Sequence, residues 1–189
     1  MGVAPVVRYP YVEARDLSLR RELLRIRVTE LGMEVVADFE FVGEVARGRV
    51  MTFPIGAPGG PAQGFAATLG TAAAARPVRS RHGSPGALPA GRAVEQYDLE
   101  IPEGRGRAGR LPLRVRYLQA TRNTWSYVLM TGAYWKGPIQ TLTVEVTDPS
   151  SRLRGATVEG QPAHTRTEGR LHWQFTRIEP RAGVLLVLR

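Results

Sequence analysis

The sequence predicts an all-β chain: an antiparallel β-sandwich, or two sandwich subdomains packed end to end. Three observations lead there. Apolar and polar residues alternate in many short runs, most clearly in GRLHWQFTRI, where Leu171, Trp173 and Phe175 oppose His172, Gln174 and Thr176. Successive side chains of a strand leave opposite faces of the pleat, so this rhythm marks a half-buried strand. Clusters of Gly, Pro, Asp and Ser separate the runs at the spacing of turns, and no helical pattern of sufficient length competes.

Residues 1–13 read as an extended N-terminal segment, with Pro5 and Pro10. Leu24, Ile26 and Val28 alternate with Arg25 and Arg27 in a first strand. Leu19, Leu23, Leu24 and Ile26 also fit part of a helical stripe, but the strict alternation and the β-branched residues that follow favour strand. Leu31-Gly32 supplies a turn, because glycine tolerates positive φ. Val35, Ala37, Phe39 and Phe41 mark a second strand antiparallel to the first. Met51, Phe53 and Ile55 mark a third, which would complete a meander, with Pro54 confining it to an edge.

Residues 56–92 are rich in Gly, Ala and Pro, with a weak hairpin around Leu69-Gly70. Tyr97, Leu99 and Ile101 predict a strand, and Leu113, Val115 and Tyr117 a partner, joined in a hairpin with a long basic tip. Five further strands follow, in residues 125–131, 139–147, 153–158, 170–178 and 184–188. The polar run ATRNT suggests a boundary, so that 14–118 form one β-sandwich and 119–189 a second half or subdomain.

Among 189 residues, 43% hydrophobic and 23% charged is ordinary for a globular protein. The absence of cysteine removes disulfides, thiolate nucleophiles and Cys-based metal sites together. A formal charge of +9 raises nucleic acid as a partner. Lys136 is the only lysine, however, and Glu22, Arg25, Arg27 and Glu30 alternate along one segment, which reads as a solvated, arginine-rich face. No 18-residue apolar stretch predicts a membrane span.

Three stretches carry a resemblance. The first is residues 14–55, from ARDLSL to TFPI. The second is VRYLQ followed by YVLMTGAYWKGPIQTLTVEV, and the third is LHWQFTRIEP. Together they cover about half the chain, and their order resembles an exported bacterial β-sandwich family known only as a domain of unknown function. The resemblance implies an extracytoplasmic location (periplasm, cell envelope or secreted) and a removed leader. It implies no activity and no catalytic residues.

The TGAYWKGPI segment is the first candidate for binding. Gly132, Gly137 and Pro138 would hold Tyr134, Trp135 and Lys136 on a stiff connection, where the aromatics could anchor a protein or stack on a sugar. Alternatively, Trp135 closes the end of the core over Trp125 or Trp173. The basic tip offers Arg105, Arg107 and Arg110 to phosphates, but without interleaved aromatics it reads as a solvated hairpin tip.

His82, His164 and His172 lack carboxylates at ligand spacing, so no metal is expected. Asp98 and Glu100 lie on one strand face, about 7 Å apart by strand rise. That approaches glycosidase spacing, yet their alternation with Tyr97, Leu99 and Ile101 puts them in solvent. No phosphate-binding loop or nucleophile elbow appears. The sequence thus predicts a non-enzymatic module without cofactor, binding a protein or surface polymer. The alternatives are a carbohydrate-binding or hydrolase-accessory domain, or a nucleic-acid binder.

Overall fold

The computed structural model describes residues 17–43, 50–56, 61–70, 75–82, 86–87, 93–101, 109–121, 123–129 and 135–189. These residues are all-β, with no α-helix among them. The strands are β1 (Ser18–Val28), β2 (Met33–Val42), β3 (Val50–Gly56), β4 (Ala62–Leu69), β5 (Arg76–Val78), β6 (Ser80–His82), β7 (Gly86–Ala87) and β8 (Ala93–Glu100). They continue with β9 (Arg110–Gln119), β10 (Thr124–Tyr127), β11 (Ile139–Thr147), β12 (Leu153–Val158), β13 (Thr165–Thr167), β14 (Arg170–Ile178) and β15 (Val184–Leu188).

They form three sheets. The largest runs β13-β14-β11-β1-β2-β9-β4-β5; a second runs β10-β15-β12; a third runs β3-β8-β6, with β7 also on β8. The strand reading of β1 and its antiparallel pairing with β2 hold, with Ile26 opposite Val35 and Leu24 opposite Ala37. So does the β4–β5 hairpin, and β3 lies at an edge as Pro54 requires.

Three expectations about pairing are corrected. β3 does not complete a meander on β2; it leaves for the third sheet and pairs β8. The free edge of β2 is taken by β9, which matches it on both faces. Val35, Ala37 and Phe39 meet Tyr117, Val115 and Leu113 inside, while Asp38 meets Arg114 outside. Consequently β8 and β9 are not hairpin partners, although they are neighbours in sequence: β8 binds β3, β6 and β7. The largest sheet is also mixed rather than purely antiparallel, because β11 runs parallel to β1, with Leu24 beside Val144. A parallel pair needs a crossover and not a tight turn; here the whole run from β2 to β10 provides it. Strands from either side of residue 119 therefore share one sheet.

The inner face of the large sheet carries Leu24, Ile26, Val35, Ala37, Val115, Leu142, Val144 and Trp173, all buried. The same apolar cluster includes Met51, Ile55 and Leu99 from the third sheet and Trp125, Val184 and Leu186 from the second. Phe53 of β3 lies against Phe39, Phe65, Tyr117 and Tyr127, with ring centroids 5.9–6.4 Å apart.

The sheets are also joined by polar bonds. Gln119 of β9 is fully buried; its amide donates to the Gly56 carbonyl at 2.6 Å and accepts from Trp125 Nε1 at 2.6 Å. Gly32 makes room for that strand end. A Cβ on Gly32 would lie 2.2 Å from the Gln119 carbonyl oxygen, and its φ of +147° disfavours other residues.

Asp148 organises the β11–β12 turn. Its carboxylate accepts from the Ser150 hydroxyl at 2.7 Å and from the backbone N–H groups of Arg152 and Leu153 at 3.2 and 2.7 Å. Partial burial pushes its pKa up, but these hydrogen bonds outweigh it and hold the carboxyl below its ordinary value. That contribution is present above the unfolded carboxylate range and is lost as pH falls. Asp148→Ala is expected to cost about 1–2 kcal/mol in urea unfolding at pH 7, with the difference shrinking in acid.

Candidate functional site

The outer face of the large sheet holds an ordered array of charges. Register sets it: Asp38 on β2 stands beside Leu23 of β1 and Arg114 of β9, and Glu40 beside Arg21 and Pro112. Arg114 holds Asp38 bidentately, Nε at 2.6 Å and Nη2 at 3.2 Å, while Arg25 donates to the same carboxylate at 2.8 Å. Arg20 and Arg110 share Glu40 at 3.2 and 3.6 Å. Arg25 also reaches Glu145 of β11 at 3.4 Å. The bond and charge of Asp38 raise the Arg114 pKa, fixing its positive charge.

A groove of about 590 Å³ lies over this array, bounded on one side by Thr68 and Gly70 of the β4–β5 hairpin. Leu23 and Pro112 contribute apolar surface; Arg21, Arg25, Arg110 and Arg114 outnumber Asp38 and Glu40. Arg21 is exposed and has no ion-pair partner among the described residues. An apolar strip within a charged rim can hold a chain segment and orient it by charge.

The sequence-predicted candidates are dispersed. Arg105, Arg107 and Tyr134 lie outside the described residues. Arg110 stands in the groove wall. Trp135 is half-buried, its ring 4.7 Å from Phe41 rather than over Trp125 or Trp173. Lys136 is exposed, and its backbone N–H donates to the Leu17 carbonyl.

Glu22 needs the largest correction. It does not belong to a solvated face: it is 2% exposed and receives the Tyr127 hydroxyl at 3.2 Å. A register shift between Leu19 and Arg21 turns both Arg20 and Arg21 outward. Glu22 then falls on the face of Leu24, Ile26 and Val28, as counting back by two from Leu24 would have indicated. Burial pushes its pKa up to about 8, and the Tyr127 bond lowers it only in part. Tyr117 and Tyr127 are themselves buried, and burial followed by the nearby Glu22 charge keeps both protonated.

The acids of β8 already have partners. Asp98 accepts from the Thr52 hydroxyl at 2.8 Å, Glu95 from the Ala62 N–H at 3.0 Å, and Glu100 faces Arg81 at 3.1 Å. His164 accepts from the Gln174 N–H and lies edge-on to Phe175. No group of three His, Asp or Glu among the described residues could hold a metal ion.

No protein-family model and no curated protein matches the sequence. Among solved structures, the fold is similar to yeast LTA4 hydrolase. The bestatin complex gives a TM-score of 0.53 at 7% identity, and the native form 0.52 at 8%; each match covers 98% of this chain and 31% of that one. A presumed protease from Parabacteroides distasonis gives 0.51 at 10% identity, over 93% of this chain and 40% of that one. The chain thus spans 31–40% of the length of these proteins, and the likeness is one of fold alone.

Proposed function

We propose that this chain is a β-sandwich accessory module without chemistry of its own, which binds an acidic protein segment in the groove over β1, β2 and β9. In this reading the second and third sheets together form the layer opposite the large one. Support comes from Gln119, Glu22 and Phe53, each of which links its own sheet to at least one other. The accessory role is supported by the likeness of nearly the whole chain to a minor part of two larger proteins, one a hydrolase and one a presumed protease. The non-catalytic reading is supported by Glu22: its carboxyl is buried and bonded to the buried Tyr127 hydroxyl, out of a substrate's reach.

The groove carries the binding reading. Its arginines are held in place by Asp38 and Glu40, yet Arg21 remains unpaired among the described residues, beside Leu23 and Pro112. The test is anisotropy of a labelled oligoglutamate peptide titrated with the protein. Saturable binding that weakens with salt is expected, with Arg21→Glu lowering affinity about tenfold, equivalent to about 1.4 kcal/mol. Trp135→Ala should leave it unchanged. Binding indifferent to Arg21→Glu overturns the groove assignment. Retention on a polysaccharide column that Trp135→Ala abolishes would favour a carbohydrate-binding module instead.

A further inference from the structure

A second positively charged site lies away from the groove, where the β11–β12 turn meets the β13–β14 turn. Arg154 of β12, Arg166 of β13, Arg170 of β14 and Arg189 after β15 line a cleft of about 540 Å³. All four are exposed. Arg189 donates Nε to the Ser151 carbonyl at 2.8 Å, which fixes the base of its side chain. None of the four has an ion-pair partner among the described residues.

Two side-chain carboxylates line the same cleft, so four arginines against two acids leave it a net charge of +2, and neither acid is paired with an arginine there. Asp148 accepts three hydrogen bonds from its own turn, and Glu168, exposed beside it, likewise has no ion-pair partner among the described residues. The large sheet shows the contrast: there one carboxylate serves two arginines, Asp38 with Arg25 and Arg114, Glu40 with Arg20 and Arg110. Four guanidinium groups from four chain segments, not paired with either acid and in excess of both, suit an anion of higher charge.

From this juxtaposition we infer that the cleft is a binding site for an oligophosphate, an anion with two or more adjacent phosphoryl groups. A planar carboxylate is satisfied by one or two guanidinium forks. A tetrahedral phosphoryl group presents oxygens in several directions, so it accepts forks arriving from different segments. Adjacent phosphoryl groups concentrate negative charge where four cations stand together. Since a water's share of liquid volume is about 30 Å³, the cleft accommodates an anion of many atoms. This inference is independent of the groove reading, because no residue is shared between the two sites.

The test is isothermal titration with sodium tripolyphosphate at pH 7 and low salt, with citrate and oligothymidylate as competing arms. One-to-one binding is expected, at least tenfold tighter than to citrate and lost in Arg166→Gln/Arg170→Gln. Arg170→Lys, which keeps charge but loses the fork, should weaken it several-fold, and Arg25→Gln in the groove should leave it unchanged. The substituted side chains are exposed, and an unchanged melting temperature confirms that the variants fold. Absence of saturable heat, binding that survives the double substitution, or citrate binding as tightly overturns the oligophosphate assignment. Tighter binding of oligothymidylate replaces it with a nucleic-acid backbone.

Discussion

Gln119→Leu is expected to lower the free energy of unfolding by about 3–5 kcal/mol, since each buried polar group left without its partner costs about 1–3 kcal/mol. Leucine fills nearly the same space, so the loss would not come from a cavity. It would come from the Gly56 carbonyl and the Trp125 indole N–H, both of which Gln119 bonds at 2.6 Å. These partners belong to the third and second sheets, while Gln119 itself ends β9 of the first. Among the described residues, removing the amide therefore strips the one side chain shown to bond polar groups of both smaller sheets. Trp125→Phe removes the same donor from the other side. The double variant should cost at least 1 kcal/mol less than the sum of the single ones, because partners in one network do not add. Urea unfolding of the four proteins gives the cycle. A cost below about 1 kcal/mol for Gln119→Leu, or strict additivity with Trp125→Phe, would show that the sheets are held by apolar contact alone.

The strands themselves were legible, because alternation is local. Leu24-Arg25-Ile26-Arg27-Val28 and Leu171-His172-Trp173 state their two faces within a few residues, and the structure buries the apolar sets. Partner choice was not legible in the same way. β8 and β9 are adjacent in sequence and both well patterned, yet each finds its complement elsewhere: Met51 opposite Leu99, Asp38 opposite Arg114. That preference depends on which faces match across the whole sheet, and turn residues do not encode it.

The groove shares this difficulty. Arg25, Asp38 and Arg114 are ordinary surface residues until β1, β2 and β9 are laid side by side. β13 escaped notice for a different reason: Thr165, Arg166 and Thr167 are all exposed, so no apolar member reveals the period. Glu22 was within reach. Its position relative to Leu24 and Val28 was that of a core residue, and only its charge argued for solvent.

That buried carboxyl gives the second large effect, a stability that falls as pH rises. Glu22 titrates near 4.5 when unfolded and at about 8 in the fold, burial being the cause. Below the lower value both states carry the proton, and its contribution is complete. Between the two, the unfolded chain releases the proton and the folded chain keeps it. Stability therefore declines through this window, by about 3 kcal/mol on reaching neutral pH. Above the upper value the fold must bury a charge, with the Tyr127 hydroxyl as donor and no ion pair to Glu22 among the described residues. Tyr117 and Tyr127 remain protonated throughout and do not counter the trend. Glu22→Gln keeps an acceptor for Tyr127 in the same space but has no proton to lose. The variant should match the parent near pH 4.5 and exceed it by about 3 kcal/mol at pH 7. Asp148 acts at the acid end, present equally in both proteins, so the difference curve isolates Glu22. Urea unfolding from pH 5 to 9 measures it. A parent whose stability is level or rising across that range relative to Glu22→Gln would mean that the carboxylate is ionised in the core and paired there.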